Sequence, residues 1–324
     1  MGYNTINFPE GTTFLVTGAA GFIGSNLVET ILKLGYQVRG LDNYATGKKQ
    51  HVAAFMDHPN YDFIEGDIRD YEVCLQASSG VDYILHQAAL GSVPRSMKEP
   101  LIYESNNIQG TSHMMEAARR AGVKRFVYAS SSSVYGDSST LPKKEGQEGD
   151  VLSPYALTKK VNEQYGKLYT EVYGLGCIGL RYFNVYGRRQ DPDSQYAAVI
   201  PKFVKALYSG EQVDIHGDGE QSRDFTYIDN VIEANLKSCL ASQEACGKSY
   251  NIAYGQCCTI NQMYKLMCKQ LGILSSPQYV EEREGDIKYS LADISEASKC
   301  IGYHPDWNFT KGFVEAVNWY RDNI

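Results

Sequence analysis

The stretch TGAAGFIG at residues 17–24 places three glycines between an apolar run and a helical pattern. The run TTFLVTG that leads into it is apolar and ends in glycine, and FIGSNLVETILKLG after it carries apolar residues at helical spacing. This order predicts a β-strand, a tight turn and an α-helix. Glycine is needed in such a turn because a side chain would block the approach of a pyrophosphate to the helix N-terminus. The stretch therefore indicates a dinucleotide-binding turn.

The glycines are Gly18, Gly21 and Gly24, a GxxGxxG spacing that is only moderately specific by itself. The next strand-like segment, QVRGLDN, carries Asp42 near its end, eighteen residues after Gly24. A carboxylate there accepts hydrogen bonds from an adenosine ribose and disfavours a 2′-phosphate, which predicts NAD as the cofactor. The alternative is a glycine-rich turn without ligand, with Asp42 as a strand-end cap. It leaves the joint order of strand, turn, helix and acid unexplained.

Strands and helices alternate through the first half of the chain. YDFIEGD, DYILHQAA, RFVYASS and GCIGLRYFN continue the strand series, with helical stretches such as NNIQGTSHMMEAARRAG between them. We therefore predict an α/β fold with a doubly wound parallel (Rossmann) sheet, whose ligands gather at the carboxyl ends of the strands. The regular alternation of strands and helices ends after Asn184. We predict a dinucleotide-binding domain of residues 1–183 with returning segments at about 224–254, and a smaller α/β lobe of residues 184–223 and 255–324.

Composition excludes several classes of protein. Hydrophobic residues make up 43% and charged residues 21% of the chain, as in ordinary soluble enzymes. The net charge of -7 argues against a nucleic-acid surface, and no apolar run is long enough to span a membrane. The N-terminus lacks a secretory signal pattern, and the eight cysteines show no CxxC spacing. We expect free thiols in a reducing cytoplasm and no metal site.

The stretch SPYALTKK at residues 153–160 predicts a helix that begins near Ser153 and Pro154. Tyr155 and Lys159 would share one face of it, since residues four apart are neighbours. An ammonium group and a positively charged nicotinamide would both favour the phenolate, and a lowered pKa is what general base catalysis requires. The alternative is a half-buried tyrosine beside a surface lysine, which is common in a chain with 25 tyrosines.

Four serines, Ser130 to Ser133, follow the strand read from RFVYASS. A hydroxyl at the carboxyl end of that strand can donate to a substrate oxygen and relay a proton to Tyr155. The alternative is a polar strand end that caps backbone groups, which suits one or two serines but hardly four.

These motifs together resemble a known family. TGAAGFIG, Asp42, SSSSVYG, YALTK and RYFNVYG are similar to the extended short-chain dehydrogenase/reductases that act on nucleotide sugars, over nearly the whole chain. HQAALGSVPRS, GLRYFNVYGRRQDP, AAVIPKF, GDGEQSRDF and REGDIKYSLAD resemble the bacterial UDP-N-acetylhexosamine 4-epimerases in particular. The resemblance implies NAD-dependent conversion of UDP-GlcNAc to UDP-GalNAc through a 4-keto sugar.

The resemblance also implies residue roles. The catalytic residues would be Tyr155 as base, Lys159 on the nicotinamide ribose and lowering the pKa of the phenol, and Ser131 and Ser132 beside the sugar. The cofactor residues would be Gly18, Gly21, Phe22, Ile23, Gly24, Asp42, Asn43, Gly47, Asp67, Ile68, Gln87, Ala88, Ala89, Tyr155, Lys159 and Tyr182. The substrate residues would be Ser92, Ser131, Ser132, Ser133, Tyr155, Asn184, Ala198, Val199, Lys202, Ile215, His216, Arg223, Arg283, Asp286 and Ser290.

Within the substrate set, Asn184 would hold the diphosphate-sugar, and Val199, Lys202, Ile215 and His216 would flank the uridine. Two arginines would clamp the diphosphate, which suits charge-assisted, forked contacts. Their alternatives are an ion pair of Arg223 with Asp224, and a solvated acidic loop around Arg283. Asp286 would contact a ribose.

The choice of sugar depends on Ser290 in this interpretation. Epimerases confined to glucose and galactose carry a tyrosine at the matching place, whereas serine, together with Ala198, leaves room for an N-acetyl group at C2. A small residue in a loop before a strand is the simpler alternative. Related dehydratases carry an Asp-Glu pair where this chain has Ser132 and Ser133, and related decarboxylases carry Glu at Ser133, so neither reaction is favoured.

Three further alternatives stay open. The same reaction on UDP-N-acetylglucosaminuronate shares most of these motifs, and another UDP-sugar epimerase or decarboxylase of the same family is a second alternative. A redox-sensing binding module that keeps the fold but has lost catalysis usually lacks the Tyr155 and Lys159 pair.

The resemblance implies a homodimer built from NNIQGTSHMMEAARRAG and SPYALTKKVNEQYGKLYTEVYG, although apolar stripes on these helices could equally pack on the sheet.

Overall fold

The computed structural model describes residues 2–192, 199–282 and 289–323. Its strands are β1 (Thr13–Thr17), β2 (Gln37–Asp42), β3 (Tyr61–Glu65), β4 (Tyr83–His86), β5 (Arg125–Ser131), β6 (Cys177–Tyr182), β7 (Val185–Tyr186), β8 (Asp214–His216), β9 (Ser222–Arg223), β10 (Thr226–Tyr227), β11 (Lys248–Ile252), β12 (Cys258–Thr259) and β13 (Gln278–Val280). Its α-helices are α1 (Phe22–Lys33), α2 (Lys49–Ala53), α3 (Tyr71–Ser78), α4 (Val93–Lys98), α5 (Pro100–Tyr103), α6 (Gly110–Ala121), α7 (Pro154–Tyr173), α8 (Val199–Tyr208), α9 (Ile228–Leu240), α10 (Ile260–Leu271), α11 (Ser295–Ile301) and α12 (Phe309–Asn323). A π-helical segment (Glu104–Gln109) joins α5 to α6, and Ser132–Tyr135 forms a 3₁₀ turn.

Seven parallel strands form the central sheet, in the order β11-β6-β5-β4-β1-β2-β3. The predicted doubly wound parallel sheet is confirmed. The strand order runs one way from β1 to β3 and the other way from β4 to β6, so it reverses between β1 and β4. Open sheets of this kind bind ligands in the crevice outside the carboxyl ends of the strands at such a reversal.

Helices cover both faces of the sheet, which explains why its inner strands are apolar along their whole length. β6 is buried at every position. In β1, Phe14 and Val16 belong to the hydrophobic cluster that includes α1 and α9, while Leu15 belongs to the cluster that includes α3, α6 and α7. A strand buried on both faces cannot show the alternation of a half-exposed strand. Among the described residues, no helix has the length and apolarity needed to cross a bilayer.

Helix α7 begins where the sequence predicts. Ser153 is its N-cap, and its Oγ accepts a hydrogen bond from Ala156 N at 3.1 Å. Pro154 occupies the first turn, where its missing N–H costs nothing. The helix ends at Gly174, which adopts a left-handed conformation with φ 73°.

Short strands in the second half build a small substructure beside the sheet. β8 pairs with β13, β9 with β12, and β7 with β10. The completely buried carboxylate of Asp224 holds this region together, since it accepts hydrogen bonds from the backbone nitrogens of Tyr254, Gly255 and Ala292. Burial raises the pKa of Asp224 to about 7, against the opposing effect of these donors. The division into two domains stays a prediction.

Candidate functional site

A deep cleft lies at the carboxyl ends of the strands, where the strand order reverses. All predicted cofactor residues except Gly47 and Asp67 line it. The lining residues that the sequence interpretation did not assign to the cofactor are Leu41, Ala45, Thr46, Gly66, Leu90, Gly91, Asn106, Ala129, Ser130, Ser131 and Val185. Of these, Ser131 was predicted for catalysis and substrate binding rather than for the cofactor. The cleft therefore gathers the glycine turn and the tyrosine–lysine pair in one place.

The glycine turn is too tight for side chains at two of its positions. Gly18 has φ 68°, and a Cβ there would lie 2.8 Å from the backbone nitrogen of Ala88. A Cβ on Gly24 would lie 2.0 Å from the carbonyl oxygen of Gly18. Because backbone atoms cannot move aside as a flexible side chain does, both glycines are required by space. The turn leaves an open cradle at the start of α1, which fits the pyrophosphate of a dinucleotide.

Asp42 ends β2 at the edge of the cleft and fixes the glycine turn. Its carboxylate accepts hydrogen bonds from Ala20 N at 2.9 Å and from Tyr44 N at 2.7 Å. Burial raises the pKa of Asp42, and the two backbone donors oppose that effect. This placement fits both the predicted ribose contact and the strand-end cap that was its alternative.

Gly47 and Asp67 lie next to the cleft rather than in its lining. A Cβ on Gly47 would lie 2.6 Å from the Cβ of Ala20, so this glycine packs behind the turn. Asp67 accepts hydrogen bonds from Asn43 Nδ2 at 2.9 Å and from Arg69 Nη2 at 2.6 Å. Its carboxylate therefore fixes Asn43, which does line the cleft.

Tyr155, Lys159 and Ser131 meet at one side of the cleft. Lys159 Nζ donates to the carbonyl oxygen of Ala129 at 2.8 Å and lies 5.8 Å from the centre of the Tyr155 ring. The Ser131 side chain interacts with the Tyr155 hydroxyl and acts to lower its pKa. The structure thus brings together the three groups that the sequence interpretation assigned to proton transfer.

Burial is the strongest influence on both titrating groups of this cluster. Burial lowers the pKa of Lys159 to about 8, and the negative charge of Glu163 opposes it. Burial also raises the pKa of Tyr155, opposed by the hydrogen bond from Ser131. The sequence analysis expected Lys159 to lower the pKa of the Tyr155 phenol. In the structure burial has the larger effect, and it raises that pKa. The positive charge of the nicotinamide is the second contribution that the sequence interpretation expected.

The other serines and Asn184 lie just beyond this cluster. Ser132 and Ser133 begin the 3₁₀ turn after β5, and Ser133 Oγ donates to Ser131 Oγ at 2.9 Å. Ser92 caps α4, where its Oγ accepts from Arg95 N at 3.2 Å, and has a strained φ of 81°. Asn184 also has a positive φ, 36°, and its Nδ2 donates to the carbonyl oxygen of Asp224 at 3.2 Å.

The predicted uridine residues lie on two neighbouring elements, Val199 and Lys202 on α8, and Ile215 and His216 on β8. His216 Nδ1 is hydrogen-bonded to the backbone oxygen of Glu281 at 2.9 Å. Arg223 lies on β9, where its Nη1 donates to the carbonyl oxygen of Ser222 at 2.9 Å. Ser290 N donates to the same Ser222 oxygen at 3.1 Å. Ala198, Arg283 and Asp286 lie outside the described residues.

Sequence reasoning missed three groups around the cluster, of which Tyr103 and His86 are buried. Tyr103 is completely buried, its ring meets Tyr155 edge to face at 6.2 Å, and its hydroxyl donates to the carbonyl oxygen of Gly91. His86 is hydrogen-bonded to Thr17 and Thr111 through its two ring nitrogens, and burial lowers its pKa to about 3.

Glu163 is the third missed group. It lies one helical turn after Lys159 and accepts hydrogen bonds from Ser130 and Arg181. The i, i+4 spacing between Lys159 and Glu163 could have indicated from the sequence that the two side chains are neighbours on the helix. No comparable sequence signal exists for the other two groups.

Comparison with known proteins agrees with this geometry. Residues 14–253 match the NAD dependent epimerase/dehydratase family. The putative UDP-glucose 4-epimerase of Methanocaldococcus jannaschii is 35% identical over 311 residues, which is 95% of this chain and 98% of that protein.

Two solved structures show the same fold. The UDP-N-acetylglucosamine 4-epimerase of Methanobrevibacter ruminantium M1, in complex with UDP-N-acetylmuramic acid, has a TM-score of 0.92 and 38% identity, covering 98% of this chain and 100% of that one. The UDP-glucuronic acid 4-epimerase of Bacillus cereus, in complex with UDP-glucuronic acid and NAD, has a TM-score of 0.86 and 32% identity, covering 96% of this chain and 99% of that one. The resemblance to extended short-chain dehydrogenase/reductases and the NAD cofactor are confirmed. This chain belongs to the NAD dependent epimerase/dehydratase family.

Proposed function

We propose that this protein is a UDP-sugar 4-epimerase whose substrate pair is UDP-GlcNAc and UDP-GalNAc. The observation that carries the proposal is the cluster of Tyr155, Ser131 and Lys159 beside a cleft whose glycine turn fits NAD. A base, a hydroxyl relay and an ammonium group next to a dinucleotide site suit reversible oxidation of a carbinol. Related UDP-sugar 4-epimerases span nearly the whole chain, which supports the same reaction class.

Tyr155, Ser131 and Lys159 each have a separate role in this reaction. Tyr155 takes the proton of the sugar 4-hydroxyl and returns it in the second half-reaction. Ser131, whose side chain interacts with that phenol, orients it and relays the proton. Lys159 supplies a positive charge 5.8 Å from the centre of the phenol ring, which favours the ionised form. NAD held by the glycine turn and Asp42 would supply reversible hydride chemistry at C4 of the sugar, so no external redox partner would be consumed.

UDP-N-acetylglucosaminuronate is the second candidate substrate. Relatives that act on UDP-glucuronic acid are similar to this chain over nearly its full length, which keeps a carboxylate at C6 in consideration. The greater similarity to the Methanobrevibacter protein favours the N-acetylated sugar with a C6 hydroxymethyl group. A reducing, cytoplasmic setting suits both candidates and is supported by eight free cysteines.

The test is incubation of the purified protein with UDP-GlcNAc, UDP-Glc and UDP-GlcNAcA, without added NAD, followed by hydrolysis and identification of the sugars. We expect GalNAc to appear from UDP-GlcNAc in the absence of any added cofactor. Conversion of UDP-GlcNAcA alone would replace the substrate assignment, and no conversion of any sugar would refute the function.

Ser290→Tyr should separate N-acetylated from plain substrates. Ser290 lies beside Ser222, next to Arg223, in the region assigned to the substrate. We expect kcat/KM for UDP-GlcNAc to fall at least about 100-fold while that for UDP-Glc is retained, because a bulky side chain would occupy the space of the acetyl group. Ser290→Ala, which stays small, is the matched control and should behave as the wild type. Normal turnover of UDP-GlcNAc by Ser290→Tyr would show that this residue does not line the acetyl pocket.

We also propose that the protein forms a homodimer through the region of α4, α5 and α7. Several large apolar side chains there are exposed: Met97, Leu101, Ile102, Leu157, Leu168 and Val172. The exposed side chains of α7 support this interface, whereas Met114 and Met115 of α6, the other helix expected in the dimer, are buried within the subunit. A second copy would cover the exposed side chains. Light scattering should give twice the 36.1 kDa chain mass, and Leu168→Glu should shift the mass towards that of one chain.

A further inference from the structure

A largely buried ion pair lies next to the candidate catalytic cluster. Arg181 of β6 donates to Glu163 of α7 through two contacts, Nε to Oε1 at 2.8 Å and Nη2 to Oε2 at 2.8 Å. Glu163 Oε1 also accepts a hydrogen bond from Ser130 Oγ at 2.6 Å. The side chains of Arg181 and Glu163 are only 7% and 12% exposed. A forked, charge-assisted pair of this kind holds both partners in a fixed geometry.

Three consecutive residues at the end of β5 are bound by three successive turns of α7. The pairs are Ala129 with Lys159, Ser130 with Glu163, and Ser131 with Tyr155. On the helix these partners are spaced four residues apart, so they form one continuous face. The Glu163 contact therefore anchors the strand residue that lies between the other two.

The charges around this contact are balanced. The other side of the Arg181 guanidinium contacts Glu148 and the Tyr135 hydroxyl, so two carboxylates flank one guanidinium. With the ammonium of Lys159 one turn away, the group holds two cations and two anions. Glu163 also opposes the effect of burial on Lys159, whose pKa lies at about 8.

We propose that Glu163, held by Arg181, is a positioning residue of the reaction. Through Ser130 it fixes the end of β5, and with it both the carbonyl that receives Lys159 and the hydroxyl that contacts Tyr155. Glu163 acts through these neighbours and not on the substrate. This inference rests on the proposed function, because it assigns a role within the same reaction.

Glu163→Gln tests the proposal against a matched control, Glu148→Gln. Both substitutions remove one carboxylate from Arg181, but only the first weakens the contact with Ser130. We expect kcat of Glu163→Gln to fall on the order of 10–100-fold because the reacting groups are displaced. KM for the UDP-sugar should change by less than about threefold, since the lost interaction acts on the chemical step. Glu148→Gln should keep kcat within about twofold of the wild type, because Glu148 contacts Arg181 but neither Ser130 nor the rest of the end of β5.

A double-mutant cycle shows whether the effect passes through Ser130. Ser130→Ala alone should lower kcat, and it should lower kcat no further in the Glu163→Gln background, since linked residues are not additive. Fully additive losses, or equal losses of kcat in Glu163→Gln and Glu148→Gln, would overturn the proposal and leave a purely structural ion pair.

Crystal structures of both glutamine variants with NAD test the same point without turnover. The ammonium of Lys159 and the hydroxyl of Ser131 should be displaced in Glu163→Gln and not in Glu148→Gln. An unchanged end of β5 in Glu163→Gln would refute the inference. If the wild type converts no UDP-sugar, the proposed function fails, while these structures still decide whether Glu163 positions the cluster.

Discussion

Tyr155→Phe should abolish epimerisation while the protein keeps its fold and its NAD. The substitution removes one oxygen atom, and with it the proposed acceptor for the sugar 4-hydroxyl proton. General acid–base groups contribute about 10²–10⁴-fold to rate, so we expect kcat to fall by about 10³-fold or more. The ring can keep its edge-to-face contact with Tyr103, which limits the structural cost. The measurement is kcat with UDP-GlcNAc, together with the NAD content of the purified variant.

Tyr165→Phe is the matched control for this experiment. Tyr165 lies on the same helix, ten residues further on, and is not part of the cleft lining. Loss of its hydroxyl should leave kcat unchanged. Retained activity in Tyr155→Phe would remove the base from the proposed mechanism. Loss of bound NAD in that variant would instead point to a defect in the cofactor site.

The dominant features of the fold were readable because they depend on local patterns. The alternation of strands and helices predicts a parallel sheet, and the order of Ser153 and Pro154 predicts where α7 begins. Steric fit in a tight turn and helix capping involve residues only a few positions apart, so both can be inferred directly from the sequence. The NAD prediction followed from the glycine turn and Asp42, which lie close together in the chain and in the structure.

Burial could not be inferred from the sequence in the same way, yet it has the largest effect on the pKa values of Tyr155 and Lys159. The spacing of Tyr155 and Lys159 correctly placed them on one face, but it could not show that Lys159 is buried and Tyr155 half-buried. Burial acts on the two groups in opposite directions, raising the pKa of the phenol and lowering that of the ammonium. The partner that opposes the effect on Tyr155 is Ser131 of β5, a different element, whereas the partner of Lys159 is Glu163 on the same helix.

Gly24→Ala should abolish NAD binding. In the interior of a helix, replacing glycine by alanine normally stabilises the protein by about 1 kcal/mol. At Gly24, however, the new Cβ would lie 2.0 Å from the carbonyl oxygen of Gly18, so the turn and the start of α1 must separate. Overpacking of a tight contact costs about 1–3 kcal/mol, and more where backbone blocks relaxation. We expect a lower melting temperature and purified protein without NAD.

Gly91→Ala provides the control within the same cleft. A Cβ there would meet no protein atom within 4 Å, so the substitution adds a methyl group to the lining without moving the turn. We expect that variant to keep its melting temperature and most of its NAD. The measurements are thermal unfolding and the absorbance of NAD released by denaturation. If Gly24→Ala keeps its cofactor, the turn can relax around a methyl group. The close approach of Gly18 and α1 would then not be what shapes the pyrophosphate site.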